Sequence, residues 1–224
     1  MIAAALEELH ERVLADAVVL DVGGWAKPLA RADWVIDLQP YETRGLYGYD
    51  GDRGDERFSA DTWVIADICE PWPFADGRFD VAICSHTLED VRDPVGVCRE
   101  LMRVARSGYV EVPSRLEEQT MALQGDWVGW SHHRWLIDVD PAAPAIEFAF
   151  KPPILHLPGF HFPPGFAETL DAEERVGRFW WDGAFAASER VFSGHTDQVE
   201  WIQRVVRERG VPAGGRRRWG RRGR

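Results

Sequence analysis

The sequence has little cysteine: Cys69, Cys84 and Cys98 are its only thiols among 224 residues. Their odd number and the lack of any Cys-x-x-Cys pair argue against a disulfide framework and indicate reduced, buried thiols in a reducing compartment. Long apolar runs are also missing, and residues 1–4 lack the basic flank and apolar stretch of a secretory signal. These absences predict a soluble, cytoplasmic protein that has no membrane partner.

Positive charge is scarce, with 26 Lys and Arg against 37 Asp and Glu and a net charge of −11. Part of that positive charge lies in the Gly/Arg-rich tail at residues 213–224, which contains no acid, so the rest of the chain is more acidic still. An acidic body repels phosphate backbones, which argues against nucleic acid as a partner. The tail has no apolar face and is predicted to be disordered, with nucleic-acid binding as the alternative.

Hydrophobic periodicity predicts an α/β fold. An amphipathic helix comes first, and five apolar runs after it are interpreted as strands: residues 17–22, 34–38, 62–66, 79–85 and 108–112. Several of these runs are continuous rather than alternating, as burial on both faces of a parallel sheet requires. Between the last two runs we predict a helix that Asp93 caps, with Pro94 in its first turn and Gly108 after its end.

The second half of the chain changes character. The predicted elements there are a strand pair (135–139 with 146–150), a hairpin around Asp182-Gly183 (176–181 with 185–192) and a last helix (197–209).

Three regions are expected from this order of elements. They are a core at residues 1–150, a C-terminal elaboration packed on it at 151–212, and the tail at 213–224. Within the core, residues 41–61 lack periodicity and are predicted to form a long loop, which is a candidate lid.

A glycine turn follows the first predicted strand. The chain there reads Asp21-Val22-Gly23-Gly24, and the second apolar run ends in Asp37. This pattern is typical of a nucleoside-containing cofactor site, because backbone at glycine can approach the ligand and a strand-end carboxylate can hold two ribose hydroxyls. The alternative is a tight turn that needs only a positive φ.

Five segments carry a family resemblance: residues 19–24, 34–37, 66–68, 73–80 (PFADGRFD) and 84–91 (CSHTLEDV). Together they resemble the class I S-adenosylmethionine-dependent methyltransferases of the type-11-like group, over roughly residues 15–115. The resemblance implies a doubly wound, mostly parallel, Rossmann-like sheet of seven strands, with C-terminal hairpin and helix elaborations. It also implies S-adenosyl-L-methionine as the cofactor, bound over the carboxyl ends of the strands.

The resemblance further implies a set of cofactor-binding residues: Asp21, Gly23, Gly24, Asp37, Asp67, Ile68 and Ser85. Asp21, Gly23 and Gly24 match the motif beside the methionine moiety. Asp37 matches the carboxylate that holds the ribose, and Asp67 with Ile68 matches the pair that faces adenine. Ser85 lines the methyl-transfer pocket, whereas Asp67 has an alternative role as a helix cap. Trp25 and Lys27 stand where the family has further glycines, so Trp25 either walls the cofactor or blocks it.

The acceptor is expected to meet residues outside this set. His86 and His133 are the candidate catalytic residues, since an imidazole with a pKa near neutrality can take a proton from a hydroxyl. A structural His86 is the alternative, because methyl transfer from a sulfonium needs mostly alignment. Trp130 and Arg134 are the candidate substrate-binding residues, and the planar guanidinium of Arg134 suits a carboxylate or polar acceptor group. The alternative is that residues 133–135 only begin a strand.

No metal site is predicted. His132 and His133 are adjacent, and adjacent residues on a strand point to opposite faces of the sheet. No third ligand stands at convincing spacing in the sequence. The two histidines are therefore interpreted as part of an aromatic substrate wall or as ordinary packing residues.

These observations predict S-adenosylmethionine-dependent O-methylation of a small-molecule or glycan-like acceptor, with a homodimer as a further expectation. A non-catalytic binding or assembly protein is the first alternative, in which Trp25 closes the pocket. A nicotinamide-dependent oxidoreductase is the second, because the glycine turn and Asp37 serve both cofactors. The absence of a full Gly-x-Gly-x-x-Gly and of a Tyr-x-x-x-Lys pair argues against it.

Overall fold

The computed structural model describes residues 1–46 and 55–210. Within these residues the strands are β1 (Val19–Val22), β2 (Trp34–Asp37), β3 (Trp63–Ile65), β4 (Phe79–Ser85), β5 (Ala105–Pro113), β6 (Trp135–Asp140), β7 (Ala145–Phe150), β8 (Val176–Asp182) and β9 (Ala186–Glu189). The helices are α1 (Ala3–Arg12), α2 (Pro94–Val104), α3 (Arg115–Glu118) and α4 (His195–Arg209). Part of the candidate lid and the whole of the predicted tail lie outside the described residues.

A six-stranded sheet in the order β3-β2-β1-β4-β5-β8 forms the centre of the fold. Its first five strands run parallel, and β8 pairs antiparallel to β5. The predicted α/β class and mostly parallel, Rossmann-like sheet are confirmed. Because β2 and β4 lie on opposite sides of β1, the carboxyl ends of β1 and β4 flank a topological switch point, where open α/β sheets bind their ligands.

Successive residues of β1 pack into two separate cores. Val19 lies in a core with Ala5 and Leu9 of α1, whereas Leu20 lies in a second core with Leu101 of α2. Helices α1 and α2 therefore cover opposite faces of the sheet, which is the predicted doubly wound arrangement. Burial on both faces explains why the strand sequences are continuously apolar, since each fully buried leucine contributes about 1.5–3 kcal/mol.

Helix α2 begins as its sequence predicts. Oδ1 of Asp93 accepts a hydrogen bond from the backbone N–H of Gly96 at 2.8 Å, and Pro94 occupies the first turn. Its end differs from the prediction, because β5 follows α2 directly and Gly108 lies inside that strand. A Cβ atom on Gly108 would meet the carbonyl oxygen of Ala82 at 2.1 Å, so the strands require glycine there.

Strands β6, β7 and β9 form a second sheet, which corrects two predictions. β6 and β7 pair antiparallel as expected, but the prediction of a hairpin around Asp182-Gly183 is wrong. The strand before this turn pairs with β5, and β9 after it pairs in parallel with β7. Gly183 has the positive φ of 71° that the turn needs, yet packing of distant strands decides the partners. The main sheet accordingly has six strands within the described residues instead of seven.

The two sheets do not follow the expected division at residue 150. β8, from the predicted elaboration, is an edge strand of the main sheet, whereas β6 and β7, from the predicted core, pair with β9. The last helix agrees with its prediction more closely. It buries Trp201, Ile202 and Val206 and ends at Gly210, which has a φ of 68°.

The three cysteines are free, and Cys84 and Cys98 are buried, as predicted. Burial raises the pKa of both thiols, so both stay protonated and unreactive. In the described part of the chain, no helix has the length and apolar content needed to cross a bilayer.

Candidate active site

A cleft of about 650 Å³ lies at the carboxyl ends of β1 and β4. Its walls come from α1, the loop after β1, the end of β4 and residues 130–133, which precede β6. The cleft therefore occupies the topological switch point of the main sheet, and its volume suits a small molecule. The predicted site residues that line it are Asp21, Gly23, Gly24, Ser85, His86, Trp130 and His133.

The glycine turn is shaped by contacts with the protein's own side chains. Gly23 has a φ of 73°, and a Cβ atom on it would lie 2.3 Å from Oγ1 of Thr87. A Cβ atom on Gly24 would lie 2.3 Å from Oδ2 of Asp21. Both positions therefore require glycine for packing, and both glycines line the cleft.

Asp21 is a buried carboxylate in the wall of the cleft, 5% exposed. Its Oδ2 atom accepts a hydrogen bond from the backbone N–H of Leu29 at 2.8 Å. Burial raises the pKa of Asp21 to about 6, and the nearby Asp37 carboxylate adds to the effect.

Asp37 ends β2 as predicted, but its carboxylate faces the protein. Oδ2 accepts a hydrogen bond from the backbone N–H of Trp25 at 3.0 Å, and Oδ1 accepts one from Gln39 at 2.8 Å. The residue is 8% exposed, and burial raises its pKa. Neither Asp37 nor Trp25 lines the cleft. The indole of Trp25 donates instead to Oγ1 of Thr43, so it neither walls nor fills the cavity.

The structure does not bring Asp67 and Ile68 to the cleft. Asp67 forms an ion pair with Arg92, whose hydrogen bond lowers the pKa of the carboxyl group. Ile68 is buried in the core beside α2, and its carbonyl oxygen accepts a hydrogen bond from the indole of Trp72 at 2.8 Å. Asp67 is thus held at the surface and Ile68 inside the protein.

Ser85 and His86 meet a carboxylate that the sequence analysis did not single out. Ser85 Oγ donates to Oε1 of Glu111 at 3.1 Å, and His86 Nε2 lies 3.2 Å from the same atom. Tyr109 donates its hydroxyl to Oε2 of Glu111 at 2.6 Å, and the backbone N–H of Ile2 donates to that oxygen at 3.1 Å. Glu111 is fully buried at the end of β5, so it anchors the floor of the cleft.

His86 is held in an unusual backbone conformation, with a φ of 54°. Its Nδ1 atom lies 3.4 Å from Oε1 of Glu89, while its Nε2 atom contacts Glu111. Burial alone would lower the pKa of His86, but the hydrogen bonds to Glu111 and Glu89 raise it to about 9. At neutral pH the imidazole is therefore protonated, so it donates hydrogen bonds and does not accept a proton.

Glu89 is a second buried carboxylate in the same wall, only 1% exposed. Its Oε1 atom faces His86, but its buried Oε2 atom has no hydrogen-bond partner among the described residues. A buried oxygen without a donor is costly, so this position is a place where a bound group would be stabilising.

A third buried carboxylate orients His133. Oε2 of Glu118 lies 2.8 Å from Nδ1 of His133, and Lys151 and the backbone N–H of Trp130 bind Oε1 of Glu118. Gly129 leaves room for this carboxylate, since a Cβ atom there would lie 2.2 Å from its Oε1. Burial opposes protonation of His133, yet the Glu118 hydrogen bond raises its pKa.

Arg134 does not line the cleft, although its neighbour His133 does. Its backbone joins two parts of the protein, because its N–H donates to the carbonyl of Glu89 and its carbonyl accepts from Lys151. The Arg134 side chain is exposed. The predicted juxtaposition of His86 and His133 in one cleft agrees with the structure, whereas Arg134 lies outside the lining.

His132 and His133 precede β6 and do not belong to a strand. The argument that strand geometry separates them is therefore wrong. Both rings line the cleft, with ring centroids 4.6 Å apart, and Asp90 lies beside them.

Sequence reasoning missed Glu89, Asp90, Glu111, Glu118 and Lys151. One signal was available: Glu111 interrupts the apolar run of a strand that is buried on both faces, where an acid needs a specific partner. The others come together from segments far apart in the chain.

Residues 46–110 match a family model described as a methyltransferase domain, of the type-11 group. This match agrees with the predicted resemblance to the type-11-like methyltransferases over that segment. S-adenosylmethionine is the cofactor that this family implies. The matched segment contains Ser85 and His86, but the glycine turn and Asp37 precede it. No curated protein matches the sequence.

Several solved structures of other proteins resemble the fold of part of this chain. A putative methyltransferase from Bacillus halodurans is 17% identical with a TM-score of 0.39, and covers 50% of this chain and 52% of its own. The YcgJ protein of Bacillus subtilis is 19% identical with a TM-score of 0.39, and covers 49% and 50%. A methyltransferase from Mesorhizobium loti is 17% identical with a TM-score of 0.38, and covers 66% and 65%.

The chain therefore spans about half the length of the first two of these structures.

The residues that line the cleft fit the methionine end of S-adenosylmethionine. The backbone of Gly23 and Gly24 is open to it, and Asp21 can face an ammonium group. Lys27 also lines the cleft, is exposed, and has no ion-pair partner among the described residues, so it suits the carboxylate.

The ribose end fits differently, because the Asp37 carboxylate is occupied by Trp25 and Gln39. Each carboxylate oxygen keeps a second lone pair, so ribose hydroxyls can still bind Asp37 once the turn at Trp25 exposes it.

Proposed function

We propose that the chain is an S-adenosylmethionine-dependent methyltransferase that acts on an oxygen atom of a small-molecule or glycan-like acceptor. The observation that carries this proposal is one cleft that joins the glycine turn, the Ser85-His86 end of β4 and the aromatic segment 130–133. These three parts lie at the switch point of a sheet whose central segment matches the methyltransferase domain.

The bound donor would supply a methyl group on a sulfonium, so the protein's task is alignment. The glycine turn and Lys27 would hold the methionine moiety, and Ser85 and His86 at the end of β4 would line the space for the transferred methyl group. The acceptor then enters from the side of residues 130–133, where Trp130 offers a flat face for a ring.

His86 has a positioning role in this arrangement. Because its pKa of about 9 keeps it protonated at neutral pH, its two ring N–H groups would stay directed at Glu111 and Glu89 and hold these carboxylates in the cleft wall. Its left-handed backbone and its two carboxylate partners fix the orientation of the ring at the end of β4. Its predicted role as general base would apply only at a pH above the pKa.

The second candidate function is a non-catalytic binding protein that retains the methyltransferase fold. One observation favours it: Asp37, the expected ribose ligand, accepts hydrogen bonds from its own chain and is buried. If the Trp25 turn never opens, the nucleoside end of the donor has no carboxylate to bind.

Thermal unfolding in the presence of S-adenosylmethionine, S-adenosylhomocysteine or NADH separates these functions. The proposal predicts stabilisation by the first two ligands only, of about 2.7 kcal/mol at a hundred-fold excess over the dissociation constant. Asp37→Ala is expected to reduce the stabilisation, whereas Asp61→Ala, at an exposed position outside the cleft, leaves it unchanged. Folded protein that responds to none of the three ligands supports the binding-protein alternative.

The acceptor class needs a separate test. Release of S-adenosylhomocysteine is measured with a panel of phenols, alcohols, amines and oligosaccharides. Turnover of hydroxyl compounds but not of matched amines supports O-methylation, and the reverse preference contradicts it.

A further inference from the structure

Three metal-ligating side chains meet at one corner of the cleft: Asp90, His132 and His133. One ligand atom from each lies within 4.8 Å of the other two. Asp90 follows β4, and the histidines precede β6, so the fold and not the local sequence brings them together. Asp90 and His132 are exposed, which gives their side chains room to close around an ion.

Two imidazoles and one carboxylate form a donor set that suits a divalent transition ion. Zinc bonds to nitrogen and oxygen of about 2.0–2.1 Å place tetrahedral ligands roughly 3.4 Å apart, so only a small closure is needed. Three protein ligands leave a fourth position open. Because all three residues line the cleft, that position faces the cleft.

Glu118 gives His133 the orientation that a metal ligand needs. The Glu118 carboxylate accepts from Nδ1 of His133 at 2.8 Å, which leaves the lone pair on Nε2. The Nε2 atom lies 3.9 Å from Oδ1 of Asp90, on the side of the proposed ion. Lys151 and the Trp130 backbone hold Glu118 in place, so this carboxylate–histidine pair is built into the protein.

A second observation points to a cation. Glu89, next to Asp90 in the chain, is buried in the wall of the same cleft, and its Oε2 atom has no hydrogen-bond partner among the described residues. Glu89, Asp90 and Glu118 thus bring three carboxylates to one corner. A divalent cation there offsets this concentration of negative charge.

We propose that Asp90, His132 and His133 bind a divalent transition metal of the zinc class, oriented through Glu118, with one coordination position open to the cleft. The binding of the ion stands independently of the methyl-transfer reaction. Its use, to hold an oxygen atom of the acceptor in front of the methyl group, rests on the proposed function.

Cobalt(II) is the probe for the test, because it occupies zinc sites and absorbs visible light. Tag-free, chelator-treated protein is titrated with Co²⁺ in the absence of methyl donor, and Zn²⁺ is then added as competitor. The expected result is one Co²⁺ per chain with visible absorption bands of low coordination number, lost on addition of Zn²⁺.

Variants assign the ligands. His132→Ala and Asp90→Asn change exposed positions and are expected to weaken Co²⁺ binding at least about tenfold, and Glu118→Gln about 10- to 100-fold. His195→Ala, an exposed histidine outside the cleft, is the matched control and keeps full affinity. Circular dichroism checks that each variant is folded.

Absence of Co²⁺ binding, or affinity that is unchanged in His132→Ala and Asp90→Asn, overturns the metal site. Donor binding is measured separately with chelator present. Metal binding without donor binding contradicts the proposed function but supports the metal site. Donor binding without metal binding overturns the metal site and leaves the proposed function unaffected.

Discussion

The backbone N–H of Trp25 donates a hydrogen bond to Oδ2 of Asp37, with the two atoms 3.0 Å apart. This contact joins the turn after β1 to the end of β2, which are the two places that the proposed function assigns to the two halves of the methyl donor. It keeps Asp37 buried, whereas the glycine turn beside it stays open to the cleft. Under the proposed function, donor binding depends on how readily this turn exposes the carboxylate.

Gly24→Ala is expected to abolish donor binding and to lower the free energy of unfolding by about 1–3 kcal/mol. The added Cβ atom would lie 2.3 Å from Oδ2 of Asp21 and displace this carboxylate from Leu29. Gly194→Ala is the control, because nothing lies within 4 Å of a Cβ atom there and its φ is extended. Urea denaturation and donor titration check both effects, and a Gly24→Ala protein that binds donor normally would contradict the assignment.

Lys27→Ala is expected to weaken binding of S-adenosylhomocysteine about three- to tenfold. The same change should leave binding of 5′-methylthioadenosine unaffected, since that compound lacks the amino-acid end that Lys27 is proposed to hold. Lys27→Arg should restore most of the affinity. Isothermal titration with both compounds measures the difference, and an equal loss for both ligands would show that Lys27 acts elsewhere.

His86 should make the stability of the protein depend on alkaline pH. Its pKa is raised from 6.5 to about 9 in the folded protein by Glu111 and Glu89, so the folded state binds this proton more tightly. The stabilisation is complete below pH 6.5 and is lost as the pH rises through about 9. His86→Asn, which tolerates the positive φ, should flatten this part of the profile. Denaturation midpoints of wild type and His86→Asn at pH 6, 7.5 and 9 test this prediction. The same dependence of the midpoint on pH in both proteins would refute the ion-pair account.

Asp21→Asn should stabilise the protein most above pH 6. Burial raises the pKa of Asp21 from 3.8 to about 6, so the wild-type protein loses stability as this carboxyl ionises across that interval. The amide keeps an acceptor for Leu29 but carries no charge. The difference in unfolding free energy between variant and wild type should grow from pH 4 to 6 and stay level above. A constant difference over the whole range would rule this explanation out.

Much of the fold could be predicted because its signals are local. Asp93 and Pro94 indicate the start of α2, and the continuous run of apolar residues in β4 reflects burial on both faces of the sheet. The turn at Gly183 was also recognised, yet its flanking strands join different sheets. Strand partners depend on packing between distant segments, which a turn dipeptide does not encode.

The site divides in the same way. The glycine turn and Ser85-His86 follow strands directly, so sequence reasoning could place them together. Glu111 and Glu118 become important only through partners from other elements. His132 lies in the loop before β6 and Asp90 lies after β4, so only the tertiary fold brings these two residues together. Asp37 was placed correctly at its strand end, but its hydrogen bond to Trp25 is a tertiary contact.

Calorimetric titration of the full chain with S-adenosylmethionine tests the central claim most directly, because the proposed function requires this ligand in the cleft at the glycine turn. We expect one site per chain, with affinity about 10- to 100-fold lower in Asp37→Ala, since ribose hydroxyls lose a charged acceptor, and unchanged in Asp61→Ala. No heat of binding from a folded sample at millimolar ligand, or the same affinity in wild type and Asp37→Ala, would contradict the account.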